Sequence, residues 1–429
     1  MRYDPIPSEL FTQNRAALAT LLEPQHLAII HSNDVMPTNA DGTMGFQQNS
    51  DLMYLSGVDQ EETTLILFPN AHHPHDREIL FTKETSPEIA VWEGAKLSKE
   101  QARQISGVQR VEWNSQLEST IQRLVLESEG VYLLQNEHAR NATEVVNRNE
   151  RLLKQFQQQF PLTPTKRLAP LTSALRSIKS SHEINLISKA CQITEAGFRR
   201  ILRQIKPGVG EWEIEAELQH EFISKRSKGF AYHPIIASGK DSCVLHYTSN
   251  HKVMQDGELV LLDVAAEWAN WNSDLTRTIP VNGVFTPRQK AVYQEVLKVL
   301  KTAKTELLRP GKTIQEYHQE VMNLMAESLQ RLDLITDDDL RTKGLTASVR
   351  QYFMHGTSHH LGLDVHDVHV PHAKIEENMV FTVEPGIYIP EENIGIRLEN
   401  NIVVKNNQNI DLMESIPIEV DEIEGLMNR

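Results

Sequence analysis

Two acidic residues in the second half of the chain sit where acids are costly. Asp263 ends the apolar run Leu259-Val260-Leu261-Leu262, and Glu384 ends Val380-Phe381-Thr382-Val383. Both runs read as buried strands. A buried carboxylate without a partner costs several kcal/mol, so each needs a cation or strong hydrogen bonds. Each is followed by another acid on the next strand: Asp274 eleven residues after Asp263, and Glu399 fifteen after Glu384. Four converging carboxylates demand positive charge. Two divalent ions supply it, and oxygen-rich ligation suits Mn²⁺, Mg²⁺ or Co²⁺ better than a structural zinc site. A nitrogen ligand is offered by the stretch from Met354 to Asp367, which holds His355, His359, His360 and His366 among glycines just before a strand.

The elements that must position these residues repeat within the chain. Ser180 with Glu183 forms a capping-box pattern and starts a helix that ends near Lys206-Pro207-Gly208. A second helix follows, from about 211 to 225. Thr286-Pro287 opens a third, with proline at its tolerated first position. It ends at Arg309-Pro310-Gly311, and a fourth runs from about 314 to 329. After each helix pair comes a polar lead-in, an apolar strand and a carboxylate: Asp256 to Asp263 in the first half, Glu377 to Glu384 in the second. A short turn from Glu267 to Trp271 folds the alternating strand Asp274–Ile279 back beside the first. Glu399 lies two residues from Arg397, on the same face of its strand. Two such halves face each other across a pseudo-twofold axis, with the four acids at the centre.

The preceding part of the chain reads as a separate mixed α/β domain. Buried strands are expected at Leu65–Phe68 and Val131–Leu134, and polar helices at Lys99–Gln104 and Glu118–Leu126. Pro161, Pro164 and Pro170 disfavour regular structure over 160–170, which sets the expected domains at 1–168 and 169–429. The chain has 429 residues, 40% hydrophobic and 24% charged, ordinary for a soluble globular protein. A net charge of −15 argues against nucleic acid as a partner. Cys191 and Cys243 are its two cysteines, and a reducing, cytoplasmic setting is expected. The opening MRYDPIPSEL lacks a basic region followed by an apolar stretch, so no secretory signal is expected, and no run is long enough for a membrane helix. The cluster His72-His73-Pro74-His75 reads as a solvated loop, and Asp337-Asp338-Asp339 as a solvated turn or helix start.

Several stretches resemble the M24 metallopeptidase family, with its pita-bread fold, and within it the Xaa-Pro aminopeptidase (aminopeptidase P) branch. Phe46 to Gly57 is similar to the signature of that branch's N-terminal domain. Leu245-His246-Tyr247-Thr248, Ser273 to Thr278, His355 to Asp367 and Val383-Glu384-Pro385-Gly386 are similar to its catalytic domain. The resemblance implies an N-terminal mixed α/β domain followed by a pita-bread catalytic domain. It implies two divalent ions, Mn²⁺ foremost. Asp263 and Glu384 would be terminal ligands, Asp274 and Glu399 bridging ligands, and His359 the nitrogen ligand on the ion that holds Glu384. Ala265 and His360 depart from the family pattern, which usually has a glycine and a large apolar residue there.

The resemblance further implies hydrolysis of peptides with proline at position two. Glu384 would shuttle a proton, while His246, His355 and His366 would be catalytic without binding metal. Tyr232, Val365, His366, Tyr388 and Arg397 would contact substrate or its surroundings. Trp92 would reach the active site of a neighbouring subunit in a homodimer or homotetramer. The competing readings are a prolidase restricted to Xaa-Pro dipeptides, a creatinase-like hydrolase, and a non-catalytic pita-bread module that binds peptides or proteins. The complete ligand set argues against the last two.

Overall fold

A computed structural model describes residues 3–141 and 143–428. The chain divides into two compact units, Tyr3–Arg176 and the part from Ser177 onward.

The first unit is built on one six-stranded mixed sheet. Its strands are β1 (His26–His31), β2 (Thr64–Leu67), β3 (Glu78–Thr82), β4 (Arg110–Trp113), β5 (Gly130–Leu133) and β6 (Thr165–Arg167), in the order β4-β3-β2-β1-β5-β6. The β1–β2 and β2–β3 pairs are antiparallel, and the others are parallel. Alternation puts Leu27 and Ile29 of β1, Ile79 and Phe81 of β3, and Val131 and Leu133 of β5 on one face. There they pack with Leu124, Val125 and Phe156 from the helices Leu117–Glu127 and Arg148–Gln159. Arg15, fully buried on the helix Ser8–Leu21, ties three elements together: its guanidinium donates to Leu55 O and Ser106 O at 2.8 Å each and pairs with Glu78 at 3.0 Å. The helix Ser50–Ser56 stops at Gly57, whose φ of 66° and closeness to Phe11 leave no room for a Cβ.

The expected irregular stretch at 160–170 contains β6, because its prolines flank Thr165–Arg167 and do not interrupt it. The unit also continues past the expected 168/169 boundary. The helix Ala169–Ser177 belongs mostly to it, and Arg176 reaches Asp51 at 3.0 Å.

The second unit shows the internal repeat. The helices Ser181–Ile201 and Glu211–Ser224 pack together before the first half's strands, as Pro287–Thr302 and Ile314–Arg331 do before the second's. Ser180 and Thr286 both cap with reciprocal capping boxes, and Pro287 takes the first helical turn. In the first half, β7 (Ile235–Ser238), β8 (Leu259–Asp263) and β11 (Thr276–Pro280) form an antiparallel sheet. Between β8 and β11 stands a small hairpin, β9 (Glu267–Trp268) and β10 (Trp271–Asn272), turned by Ala269 and Asn270 at positive φ. The second half matches this. β12 (Val380–Val383) pairs with β15 (Asn400–Val403), which pairs with β16 (Ile410–Asp411), and the hairpin β13 (Gly386–Ile389) and β14 (Ile394–Arg397) stands between β12 and β15. Each half therefore reads carboxylate, hairpin, carboxylate. Among the described residues no helix is long and apolar enough to cross a membrane.

Candidate metal centre

The two halves meet through their second carboxylates. Glu399 N donates to Thr276 O at 3.0 Å, and Asp274 N donates to Asn401 Oδ1 at 3.0 Å while Asn401 Nδ2 returns a bond to Asp274 O at 2.7 Å. Arg277, fully buried, holds the same seam. Its guanidinium donates to Glu399 O, Asn400 Oδ1, Pro417 O and Thr276 O at 2.7, 2.8, 2.9 and 3.0 Å. Burial lowers its pKa to about 10.

Beside this seam runs the histidine stretch. His359 O accepts from Thr382 N, and Glu384 N donates to Thr357 O, so 357–361 lies along β12. His359 Nδ1 donates to His360 O at 2.9 Å, which leaves the Nε2 lone pair facing acids: Asp274 Oδ2 at 3.4 Å and Glu384 Oε1 at 3.7 Å. Asp274, His359 and Glu399 offer ligand atoms that all lie within 4.8 Å of one another.

Asp263 joins the group from β8. It accepts from Tyr232 Oη at 2.6 Å and from Arg397 Nη2 at 2.6 Å. Arg397 continues the network, donating to Tyr388 Oη at 2.9 Å and to Thr276 Oγ1 at 3.1 Å. Thr276 in turn donates to Glu399 Oε2 at 2.6 Å. Tyr388 Oη lies 2.8 Å from His355 Nε2, and His355 Nδ1 donates to Gly356 O. Burial, with the Arg397 charge, holds His355 neutral, its pKa down to about 3.

The electrostatics of the protein groups alone are adverse. Burial raises the pKa of Asp263, and Asp274 adds to the rise against the opposing pull of Arg397. Burial pushes Glu384 up to about 7, with His359 and Arg397 opposing. Glu399 is raised far above the carboxylate range by burial and then by Asp274, Glu384 and Asp263. Burial works against a charged His359, but the bonded Asp274 and the nearby Glu384 outweigh it and raise the pKa. Divalent cations remove this repulsion, and a donor set of four carboxylates and one preoriented imidazole fits them.

Of the other expected residues, His366 packs edge-on against His359 at 4.2 Å, and Val365 precedes it, half-buried. His246 is exposed and near enough to His355 to influence its charge. Trp92 belongs to the first unit and is 89% exposed on the helix Pro87–Glu93. His72, His73 and His75 are exposed, and Asp337–Lys343 is a helix capped by Thr336. Thr276, Asn401 and Arg277 were not singled out from sequence. For Thr276 a signal exists, because in the expected strand Asp274–Ile279 it stands two residues from Asp274 on one face, although β11 itself begins only at Thr276.

A buried acid cluster at the seam of a duplicated α/β unit, with one imidazole turned into it, has the donor set that a metal-dependent hydrolase requires. The model of metallopeptidase family M24 matches residues 185–406, and that of the aminopeptidase P N-terminal domain matches 11–132. The chain belongs to metallopeptidase family M24, and its second unit has the family's pita-bread fold. It is 35% identical to the Xaa-Pro aminopeptidase of Escherichia coli (98% of each chain) and 32% identical to that of Haemophilus influenzae (99% of this chain, 98% of the other). Among solved structures, aminopeptidase P from E. coli in a low-pH form superposes with a TM-score of 0.89 at 32% identity, covering 99% of both chains. A zinc-substituted E. coli aminopeptidase P in complex with product gives a TM-score of 0.88 at 32% identity over the same share.

Proposed function

We propose that this chain is an aminopeptidase that hydrolyses the bond before proline and releases the N-terminal residue of Xaa-Pro-Yaa peptides. The observation that carries the reading is that Asp263, Asp274, His359, Glu384 and Glu399 gather around one buried centre in a chain aligned end to end with Xaa-Pro aminopeptidases.

Asp263, Asp274, His359, Glu384 and Glu399 would hold two divalent ions, Mn²⁺ foremost, and their oxygen-rich set suits such ions. Such ions, when bound, activate water and polarise the scissile carbonyl. The chain's own groups do the rest. Glu384 carries a proton toward the proline nitrogen, a tertiary amide nitrogen that must be protonated as it leaves. His366 and His246 donate to the substrate backbone and to the charge developing on its carbonyl oxygen. His355 is held by Tyr388, which Arg397 holds in turn. Tyr232 and Val365 offer an apolar surface to the pyrrolidine ring. The exposure of Trp92 suits a contact with a neighbouring subunit, in a homodimer or homotetramer. Both cysteines are free, which suits a cytoplasmic protein. The catalytic role belongs to the second unit, and the first carries the branch's N-terminal domain.

The test is a comparison of kcat/KM for Xaa-Pro-Yaa, Xaa-Pro and Xaa-Ala-Yaa with Mn²⁺ supplied. The tripeptide with proline should be cut fastest and the alanine peptide poorly, since proline's fixed φ spares the entropy other residues must lose. A dipeptide that is clearly best, with the tripeptide untouched, would make the enzyme a prolidase.

A further inference from the structure

The loop after His359 is held by an ion pair between two residues outside the proposed ligand set. Lys179 Nζ donates to Asp367 Oδ2 at 2.9 Å, and each side chain is 1% exposed. Lys179 stands just before Ser180, the cap of the 21-residue helix Ser181–Ile201, and its own N–H donates to Asn378 O at 3.0 Å. That places the ammonium on a rigid frame. Asp367 closes the loop at its other end, where its N–H donates to His360 O at 2.9 Å. Inside the loop, Asn272 Nδ2 donates to Gly362 O and Leu363 O at 3.2 and 2.9 Å. Gly362 makes the space for the carboxylate: a Cβ there would fall 2.2 Å from Asp367 Oδ2.

Asp367 is the neighbour of His366, and His366 packs against His359. We infer that Lys179 and Asp367 are positioning residues, a buried clamp that fixes the loop and so aims the His366 imidazole at the reacting carbonyl. The inference rests on the role proposed for His366. Two ions taken out of water gain little net stability from each other, and an apolar pair of similar volume is often as stable. A charged pair in this place is therefore explained by direction, because it holds residue 367 to one point as apolar packing does not. The cavity behind the loop, lined by His360, His369 and His372, is not a second metal site on this geometry. The His360 and His369 rings lie parallel at 4.9 Å, and parallel rings do not aim their lone pairs at one ion.

The test uses K179M, D367N, the double variant K179M/D367L and G362A in the cation-loaded enzyme. G362A keeps both charges and displaces the carboxylate by steric contact alone. K179M, D367N and G362A should each lower kcat on Xaa-Pro-Yaa on the order of 10²-fold, as expected for displacement of a reacting group by about 1 Å, with KM little changed and full metal content retained. The double variant should regain the wild-type Tm, yet keep the low kcat. A second readout is independent of turnover. In zinc-loaded protein with ¹⁵N-labelled histidine, the His366 ring signals should shift in every variant, while those of the exposed His72 should not. A double variant that regains kcat together with Tm overturns the inference, as do kcat losses that track metal loss or His366 signals that stay in place. If wild-type enzyme fails to cut Xaa-Pro-Yaa while the His366 signals shift as stated, the proposed substrate falls and the clamp stands.

Discussion

Thr276 joins the two halves of the centre through one hydroxyl, and Thr276→Val removes that hydroxyl at nearly constant volume. The hydroxyl donates to Glu399 Oε2 at 2.6 Å and accepts from Arg397 Nε at 3.1 Å. Hydrogen bonds to charged groups contribute about 1.5–3 kcal/mol net. At about 1.4 kcal/mol per factor of ten, losing the donor to Glu399 should weaken cation binding about tenfold to a hundredfold, the range seen when groups that orient metal ligands are removed. Arg397, 4% exposed, is also left with an unsatisfied Nε–H, which costs about 1–3 kcal/mol of folding stability. Calorimetric titration of stripped protein with Mn²⁺ measures the first effect, and thermal unfolding of the same samples measures the second. Thr276→Ser keeps the hydroxyl and should restore cation affinity. A valine variant that melts lower but binds Mn²⁺ as the wild type does would refute the reasoning, because Thr276 would then serve the fold and not the ligand.

Three further outcomes are expected. His359→Ala should lose metal, seen by elemental analysis, whereas His366→Ala should keep its metal and lose on the order of 10²-fold in kcat; metal loss in the second variant would show that His366 is itself a ligand. Asp274→Asn should weaken binding of both ions in a stepwise titration, and loss of only one would mean that Asp274 does not bridge. In the first unit, burial lowers the pKa of His31 to about 3, from about 6.5 when unfolded. The unfolded chain therefore binds more protons between these values. The stability held by neutral His31 is complete above about pH 6.5 and falls toward pH 3, at up to about 1.4 kcal/mol per pH unit. His31→Gln should flatten that slope in urea melts from pH 6.5 to 4, and an unchanged slope would exclude His31 as its source.

The sequence exposes what depends on local pattern. Capping residues Ser180 and Thr286, the apolar runs ending at Asp263 and Val383, and the repeat that pairs them are periodic or local signals, and the structure has each of them. The small β9–β10 hairpin agrees with the turn expected between Glu267 and Trp271. β6 was hidden because its three residues, Thr165–Arg167, are too few to show alternation and stand among prolines. Glu399 was expected on the strand that carries Arg397; it lies between β14 and β15, a displacement too small for pattern to resolve. Arg277 and Asn401 were out of reach for another reason. Both act through backbone atoms distant in the chain, Asn401 on Asp274 and Arg277 on Glu399 and Pro417, and such contacts exist only once the halves have met. Lys179 and Asp367 belong to the same class: a lysine and an aspartate far apart in sequence look like two surface charges until folding removes both from water.

The seam between the halves also bears on how the second unit comes apart. Each repeat contributes two of the four acids, so neither repeat alone presents a complete chelate. Cations then act as a clasp whose strength is set by supply: with free ion a thousandfold above Kd, binding adds about 4 kcal/mol to the folded state. That increment falls on the junction, because ligands from both repeats are needed for it. With the clasp open, the repeats stay joined by direct bonds, among them Asp274–Asn401, Thr276–Glu399, the Arg277 bridge, Arg397 on Asp263 and Thr276, and Asn272 on Gly362 and Leu363. Cation supply thus sets the stability of the second unit along with its capacity for catalysis.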